Sequence, residues 1–244
     1  MILSLSYLFT NVPLHAWPII IFHAGEFREP KVQKEFKYRV YDYIKGSDRR
    51  RAFMFVERFE FIELEFEFPP GIPHEKEALN PLYDWAWPGY NHMIKFYLYD
   101  IFKHPRLKDV TYYMRMDTDS YIYSPVCYDP IKRMHEHNLT YAYRVLSMED
   151  KEYIQGLADL IRDYSESHPD VHEMMRVNDF WLPDGKSDLP QYYNNFEIVK
   201  LEAFRRPDVQ EWHDEIMKRP ERIYKWRWGA CCFEFNITLY KFIN

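Results

Sequence analysis

Two aspartates separated by one residue follow an apolar and aromatic run near the middle of the chain. The run begins at residue 109 and leads into Asp117 and Asp119, and Ser124-Pro125 ends the segment. Aromatic and β-branched residues favour strands, and a Ser-Pro pair favours a turn. Because side chains two residues apart share one face of a strand, we expect both carboxylates to point the same way. Such a pair predicts a site for Mg²⁺ or Mn²⁺ with a diphosphate.

Two other interpretations of this motif stay open at the level of sequence. Asp-Thr-Asp also occurs in ordinary turns, where an aspartate side chain caps the backbone. Phosphohydrolases with an aspartate nucleophile place a similar motif after a strand, but they require Thr or Val two residues beyond the second aspartate. Tyr121 occupies that position here, which disfavours phosphohydrolase chemistry.

Composition limits the kinds of partner. A net charge of −6, from 32 basic and 38 acidic residues, provides no extended cationic surface, so no nucleic-acid partner is expected. The 21 tyrosines and 7 tryptophans suit sugar and nucleotide surfaces, although they also suit an ordinary core. The three cysteines, Cys127, Cys231 and Cys232, lack metal-type spacing and predict neither a zinc site nor a disulfide framework.

Periodicity along the chain predicts alternating strands and helices. We expect strands within 18–22, 59–68, 112–116, 141–146 and 192–198, and helices within 90–101, 129–138, 153–164 and 209–216. Ser147 followed by Asp150 predicts the N-terminal cap of the third helix. A helix between two buried strands predicts that 19–22 and 112–116 are parallel neighbours in one sheet with helices on both faces. With 244 residues and no long linker, one α/β domain is expected.

Five short stretches, in this order, resemble the fungal-type α-1,2-mannosyltransferases of glycosyltransferase family 15. They are Pro-Ile-Ile-Ile-Phe-His-Ala-Gly-Glu-Phe at 18–27, Gly-Tyr-Asn-His-Met-Ile-Lys-Phe at 89–96, Tyr-Tyr-Met-Arg-Met-Asp-Thr-Asp at 112–119, Asn-Asn-Phe-Glu-Ile at 194–198 and Arg-Trp-Gly at 227–229. The resemblance implies a GT-A-like single domain over 18–229, with a mostly parallel sheet flanked by helices. Residues 1–17 would then be an irregular N-terminal segment and 230–244 a divergent tail.

The resemblance also implies a reaction and its cofactors. A retaining enzyme of this kind moves mannose from the sugar nucleotide GDP-mannose to a mannoside or glycan acceptor with Mn²⁺ or Mg²⁺. Asp117 and Asp119 match the family's metal-binding and donor-binding acids. Glu197 matches a glutamate proposed as the nucleophile or as the stabiliser of the oxocarbenium-like centre, and Tyr90 matches a tyrosine near the active site, so both are candidate catalytic residues.

General chemistry is consistent with these roles. Departure of GDP builds negative charge that a metal can neutralise, and a carboxylate can stabilise the positive charge that develops at the anomeric carbon. Glu197, between Phe196 and Ile198, is a plausible partly buried acid for that place. The alternative is an ordinary surface glutamate on a strand.

The sequence also departs from the family pattern at both ends. No strand ending in Arg-Asn is recognisable before residue 18, and Gly229 is followed by Ala-Cys-Cys instead of Asp-Ala-Pro and a later metal-binding histidine. A catalytically incompetent sugar-nucleotide-binding or scaffolding relic is therefore the alternative function. The family resemblance implies the Golgi or secretory pathway, with membrane attachment only through an anchor that we do not find in this chain.

Overall fold

The structure is a computed structural model, and it describes residues 17–46, 48–177 and 189–229. Nearly all of the predicted N-terminal segment 1–17 lies outside the described residues, as does the predicted tail 230–244 with Cys231 and Cys232. The described chain contains both strands and helices, so the α/β class is confirmed. No helix among the described residues is both long and apolar enough to cross a bilayer.

The described chain contains seven strands and ten α-helices. The strands are β1 (Ile19–His23), β2 (Phe59–Glu63), β3 (Tyr112–Met116), β4 (Tyr141–Tyr143), β5 (Leu146–Glu149), β6 (Leu189–Tyr192) and β7 (Phe196–Lys200). The helices are α1 (Pro30–Ile44), α2 (Arg49–Val56), α3 (Lys76–Leu79), α4 (Gly89–Leu98), α5 (Pro130–Glu136), α6 (Leu157–Ser167), α7 (Pro169–Val177), α8 (Leu201–Phe204), α9 (Pro207–Met217) and α10 (Glu221–Trp226).

These elements group into two compact units. The first contains the described parts of Met1–Glu67 and Met116–Asn138, and the second those of Phe68–Arg115 and Leu139–Asn244. The single domain over 18–229 stays a prediction.

The first unit is built on a parallel pair of strands. β1 pairs with β2 in a register that runs from Ile19 opposite Phe59 to His23 opposite Glu63. The intervening α1 and α2 provide the long connection that parallel pairing requires. The sequence predicts that β1 is buried. In the structure only His23 of β1 is buried, and its other residues are half-buried. Only the first part of the predicted strand 59–68 forms β2, since the pairing with β1 ends at Glu63.

The second unit contains a three-stranded sheet in the order β3, β7, β4 and a separate β5–β6 pair. β4 and β7 are antiparallel, with Tyr143 opposite Glu197, and β5 and β6 are also antiparallel. A large apolar core lies around these strands. Its fully buried side chains include Leu157, Ile161, Val199, Leu201, Phe204, Ile216, Ile223, Tyr224 and Trp228.

Three of the predictions from sequence were wrong in detail. β1 and β3 were expected to be neighbours, but they lie in different sheets. β1 pairs with β2, and β3 pairs with β7. The expected mostly parallel pairing holds for β1 and β2, whereas β4–β7 and β5–β6 are antiparallel. Ser147 does not cap a helix, because it lies within β5 and pairs with Gln191, and α6 begins only at Leu157.

Two buried histidines make the second unit sensitive to acid. His213 lies 1% exposed, and burial together with the charge of Lys103 lowers its pKa from 6.5 to about 3. His92 contacts the Tyr224 hydroxyl at 2.8 Å, and burial together with Lys95 lowers its pKa to about 4. Below pH 6.5 the unfolded chain therefore binds protons that the folded chain excludes.

We accordingly expect the free energy of unfolding to fall between pH 6.5 and pH 4, by at most about 1.4 kcal/mol per pH unit for each histidine. Urea unfolding at pH 7 and pH 5 measures this difference. His213→Gln should reduce the difference, whereas the same change at the exposed His137 should not. An identical pH dependence in the wild type and in His213→Gln would show that His213 is not responsible.

Candidate functional site

Glu197 is the most completely buried charged residue of the described chain. It lies on the central strand β7 of the three-stranded sheet, and none of its surface is exposed. The Tyr113 hydroxyl donates a hydrogen bond to Oε1 at 3.0 Å, and the Tyr141 hydroxyl donates one to Oε2 at 2.8 Å. The two donors come from β3 and β4, which flank β7 on either side. Glu197 is therefore not a surface glutamate.

Arg115 supplies a positive charge near this carboxylate. Its Nη1 lies 4.0 Å from Glu197 Oε1, and its side chain is 9% exposed. The guanidinium lies over the ring of Tyr97, 3.8 Å from the centroid. Arg115 and Tyr113 share one face of β3 because they are two residues apart. The strand thus presents a hydroxyl and a cation to the same carboxylate.

This arrangement holds a negative charge in a fixed position. A buried carboxylate is costly unless hydrogen bonds and an opposite charge replace the lost water, and here both are present. A charge oriented before the reaction needs no reorganisation when positive charge develops next to it. The group around Glu197 can therefore stabilise a cationic centre electrostatically.

Asp117 and Asp119 lie in a turn immediately after β3. The Ser120 N–H donates to the Asp117 carbonyl at 3.0 Å and closes this turn. The alternation of side chains along a strand therefore does not determine where the two carboxylates point, contrary to the expectation from sequence. Asp117 is half-buried and Asp119 is exposed, so an incoming ligand can reach Asp119.

The chemistry of these two residues fits a hard divalent cation in part. Carboxylate oxygens are the ligands that Mg²⁺ and Mn²⁺ prefer. Within residues 17–46, 48–177 and 189–229, however, no group of three or more His, Cys, Asp and Glu side chains is placed to hold a metal. Two protein carboxylates match a cation that takes its other ligands from substrate phosphates and water, as Mg²⁺ commonly does.

Tyr90 belongs to a separate aromatic group at the start of α4. Its ring lies 5.1 Å from that of Tyr83, which lies 6.3 Å from that of Tyr153. Arg227 stacks over Tyr153 at 4.1 Å and forms an ion pair with Glu149 at 2.8 Å. Arg227 has a φ of 69°, a left-handed conformation that is rare for residues with a side chain. The ion pair and the stacking contacts hold Arg227 in this position.

A protein-family model covers four of the five stretches on which the resemblance rests, all but the one at 18–27. The model of the glycolipid 2-alpha-mannosyltransferase family matches residues 29–239, which is most of the chain. The chain belongs to this family. The match includes Asp117, Asp119, Glu197 and Tyr90, and it extends ten residues beyond the predicted end of the domain at residue 229.

Two relatives are similar to this chain over part of their own length. The alpha-1,2 mannosyltransferase KTR1 of Saccharomyces cerevisiae is 29% identical over 143 residues, which cover 58% of this chain and 36% of that protein. Glycolipid 2-alpha-mannosyltransferase 1 of Candida albicans is 28% identical over 207 residues, which cover 80% of this chain and 45% of that protein. The chain therefore spans less than half the length of either relative.

Solved structures of the family establish the fold. The mannosyltransferase Ktr4p of S. cerevisiae, solved in complex with GDP, matches with a TM-score of 0.73 at 19% identity, covering 99% of this chain and 62% of that one. Core-mannan synthase A of Aspergillus fumigatus, solved in its Mn/GDP form, matches with a TM-score of 0.70 at 20% identity, covering 99% and 68%. The expected GT-A-like fold is thereby confirmed.

The partners of Glu197 were not predicted from the sequence. Tyr113, Tyr141 and Arg115 are far from Glu197 in the chain, and only the pairing of β3 and β4 with β7 brings them together. One signal was present: Arg115 interrupts an otherwise apolar and aromatic strand. A charged residue at such a position predicts a buried partner of opposite charge.

Proposed function

We propose that this protein is a retaining α-1,2-mannosyltransferase. It moves mannose from GDP-mannose to a mannoside or to a mannose-containing glycan, with Mn²⁺ or Mg²⁺ as cofactor. The observation that carries the proposal is the buried Glu197 carboxylate, which two tyrosine hydroxyls and Arg115 hold in place. Family membership supports the reaction class, and the GDP and manganese in the relatives' structures support the donor and the metal.

Glu197 acts on the sugar in this proposal. As the bond between mannose and GDP lengthens, positive charge builds at the anomeric carbon. The side chain of Glu197 has no exposed surface, which favours electrostatic stabilisation over direct nucleophilic attack. Its charge lowers the energy of the cationic transition state through a medium from which water is excluded.

Asp117 and Asp119 act on the diphosphate end of the donor. Their carboxylates would hold the cation, which neutralises the negative charge that develops on the leaving GDP. The exposure of Asp119 suits this role, because donor and product must exchange at each turnover. Tyr90 is the further catalytic candidate, and its contact with Tyr83 fixes its ring near the start of α4.

We also propose that the protein works in the Golgi or elsewhere in the secretory pathway. The family resemblance supports this location, and Asn138 of an Asn-Leu-Thr glycosylation sequon is exposed directly after α5.

In the native host we expect a glycosidase-sensitive shift in electrophoretic mobility, part of which Asn138→Gln should remove. If the protein from the native host carries no N-glycan, Asn138 has not been glycosylated, and the proposed location in the secretory pathway is contradicted.

Replacement of Asp119 tests the metal site. Asp119→Ala removes one of two protein oxygen ligands, so we expect Mn²⁺-dependent GDP-mannose binding to weaken at least about tenfold, a loss typical of disturbed metal coordination. Titration calorimetry with and without Mn²⁺ measures the effect. Asp159→Ala, an exposed aspartate of α6, is the matched control and should bind normally. Unchanged affinity in Asp119→Ala would exclude Asp119 as a ligand.

Replacement of Glu197 tests the chemistry. Glu197→Gln keeps the size of the side chain and removes its charge, so we expect donor binding to persist and kcat to fall by a factor on the order of 10². Mannose transfer to methyl α-mannoside measures turnover. Glu202→Gln, an exposed glutamate of α8, should keep full activity. Equal kcat in Glu197→Gln and the wild type would remove Glu197 from the mechanism. A wild type that binds the donor but transfers no mannose would identify the alternative function, a catalytically incompetent sugar-nucleotide-binding protein.

A further inference from the structure

The hydrogen bonds to Glu197 use both of its oxygens and come from both sides of β7. Tyr113 on β3 donates to Oε1, and Tyr141 on β4 donates to Oε2. A carboxylate held at both oxygens cannot rotate freely about its terminal bond. The direction of its negative charge is therefore set by these two hydroxyl groups.

The two tyrosines differ from Glu197 in their exposure. Both are half-buried, whereas the carboxylate between them has no exposed surface. Water therefore cannot replace a tyrosine hydroxyl without a rearrangement of the sheet around Glu197. Loss of either hydroxyl would leave a buried carboxylate oxygen without that hydrogen bond and free the carboxylate to turn.

Sheet geometry explains why Tyr141 reaches this carboxylate. Tyr141 lies opposite Val199 and Tyr143 lies directly opposite Glu197. Tyr141 therefore contacts Glu197 along the diagonal of the antiparallel pair, a distance that an aromatic side chain spans. Its ring is held by stacking on Tyr192 at 5.1 Å and by contact with Phe204 at 5.9 Å. The hydroxyl is thus supported by packing on the side away from Glu197.

We propose that Tyr113 and Tyr141 are positioning residues that hold the Glu197 carboxylate in the orientation needed for sugar transfer. This inference rests on the proposed function of Glu197. Arg115, 4.0 Å from Oε1, balances the charge but is too distant to replace either hydrogen bond. The tyrosines act on the transition state only through the carboxylate.

A double-mutant cycle with Glu197→Gln tests this dependence. Tyr141→Phe and Tyr113→Phe each remove one hydroxyl and keep the ring. We expect each change to lower kcat about tenfold with little effect on the KM for GDP-mannose, because the donor is bound by other groups. In the Glu197→Gln background the same changes should lower kcat less than about twofold, since the charge that they orient is already absent.

A matched control is available on the same strand. Tyr143→Phe removes a hydroxyl from the ring that stacks on Tyr192 at 4.0 Å, and this hydroxyl does not bond Glu197 in the described structure. Its kcat should equal that of the wild type. Tenfold losses that persist in the Glu197→Gln background, or effects confined to KM, would overturn the proposal.

A second readout separates this inference from the proposed function. If the wild type transfers no mannose, the proposed function itself fails. The same cycle is then measured by urea unfolding, which requires no activity. Coupling between Tyr141 and Glu197 in stability would support the hydrogen bonds as the means of holding the charge, and strict additivity at both tyrosines would overturn them.

Discussion

Burial of the Glu197 carboxylate is the constraint on which the second unit depends. An ion without water is tolerated only when protein groups replace the solvent, so each strand beside β7 must supply a polar group at a defined position. β3 supplies Tyr113 and Arg115, and β4 supplies Tyr141. A shift of either strand by one residue would turn these groups to the opposite face and leave the charge unpaired.

The candidate functional carboxylates have contrasting environments that suit contrasting tasks. Asp119 is exposed in a turn, where a ligand could bind and leave. Glu197 is fully buried, where its position and solvation stay constant through a reaction. An exposed carboxylate is free to exchange ligands, whereas a buried one holds a fixed electrostatic potential. The proposed function rests on this contrast, since it assigns the diphosphate to the two aspartates and the sugar to Glu197.

Arg227 illustrates how the fold tolerates local strain near a family motif. Its left-handed backbone would be easier for glycine, yet the arginine side chain gains an ion pair with Glu149 and stacks on Tyr153. The adjacent Trp228 is completely buried and anchors the same segment in the core. The end of α10 is therefore fixed by side-chain contacts rather than by backbone preference.

The sequence by itself determined the family, the α/β class and several local elements. The apolar periods of α4 and α9 are local, as are Pro88-Gly89 before α4 and Pro220 after α9, and α5 lies within the range 129–138 that the sequence predicts. Only the tertiary structure decided that β3 pairs with β7 and not with β1, and that Glu197 is buried among Tyr113, Tyr141 and Arg115. Strand pairing joins residues about 55 to 85 positions apart, and local periodicity carries no information about which distant strand completes a sheet.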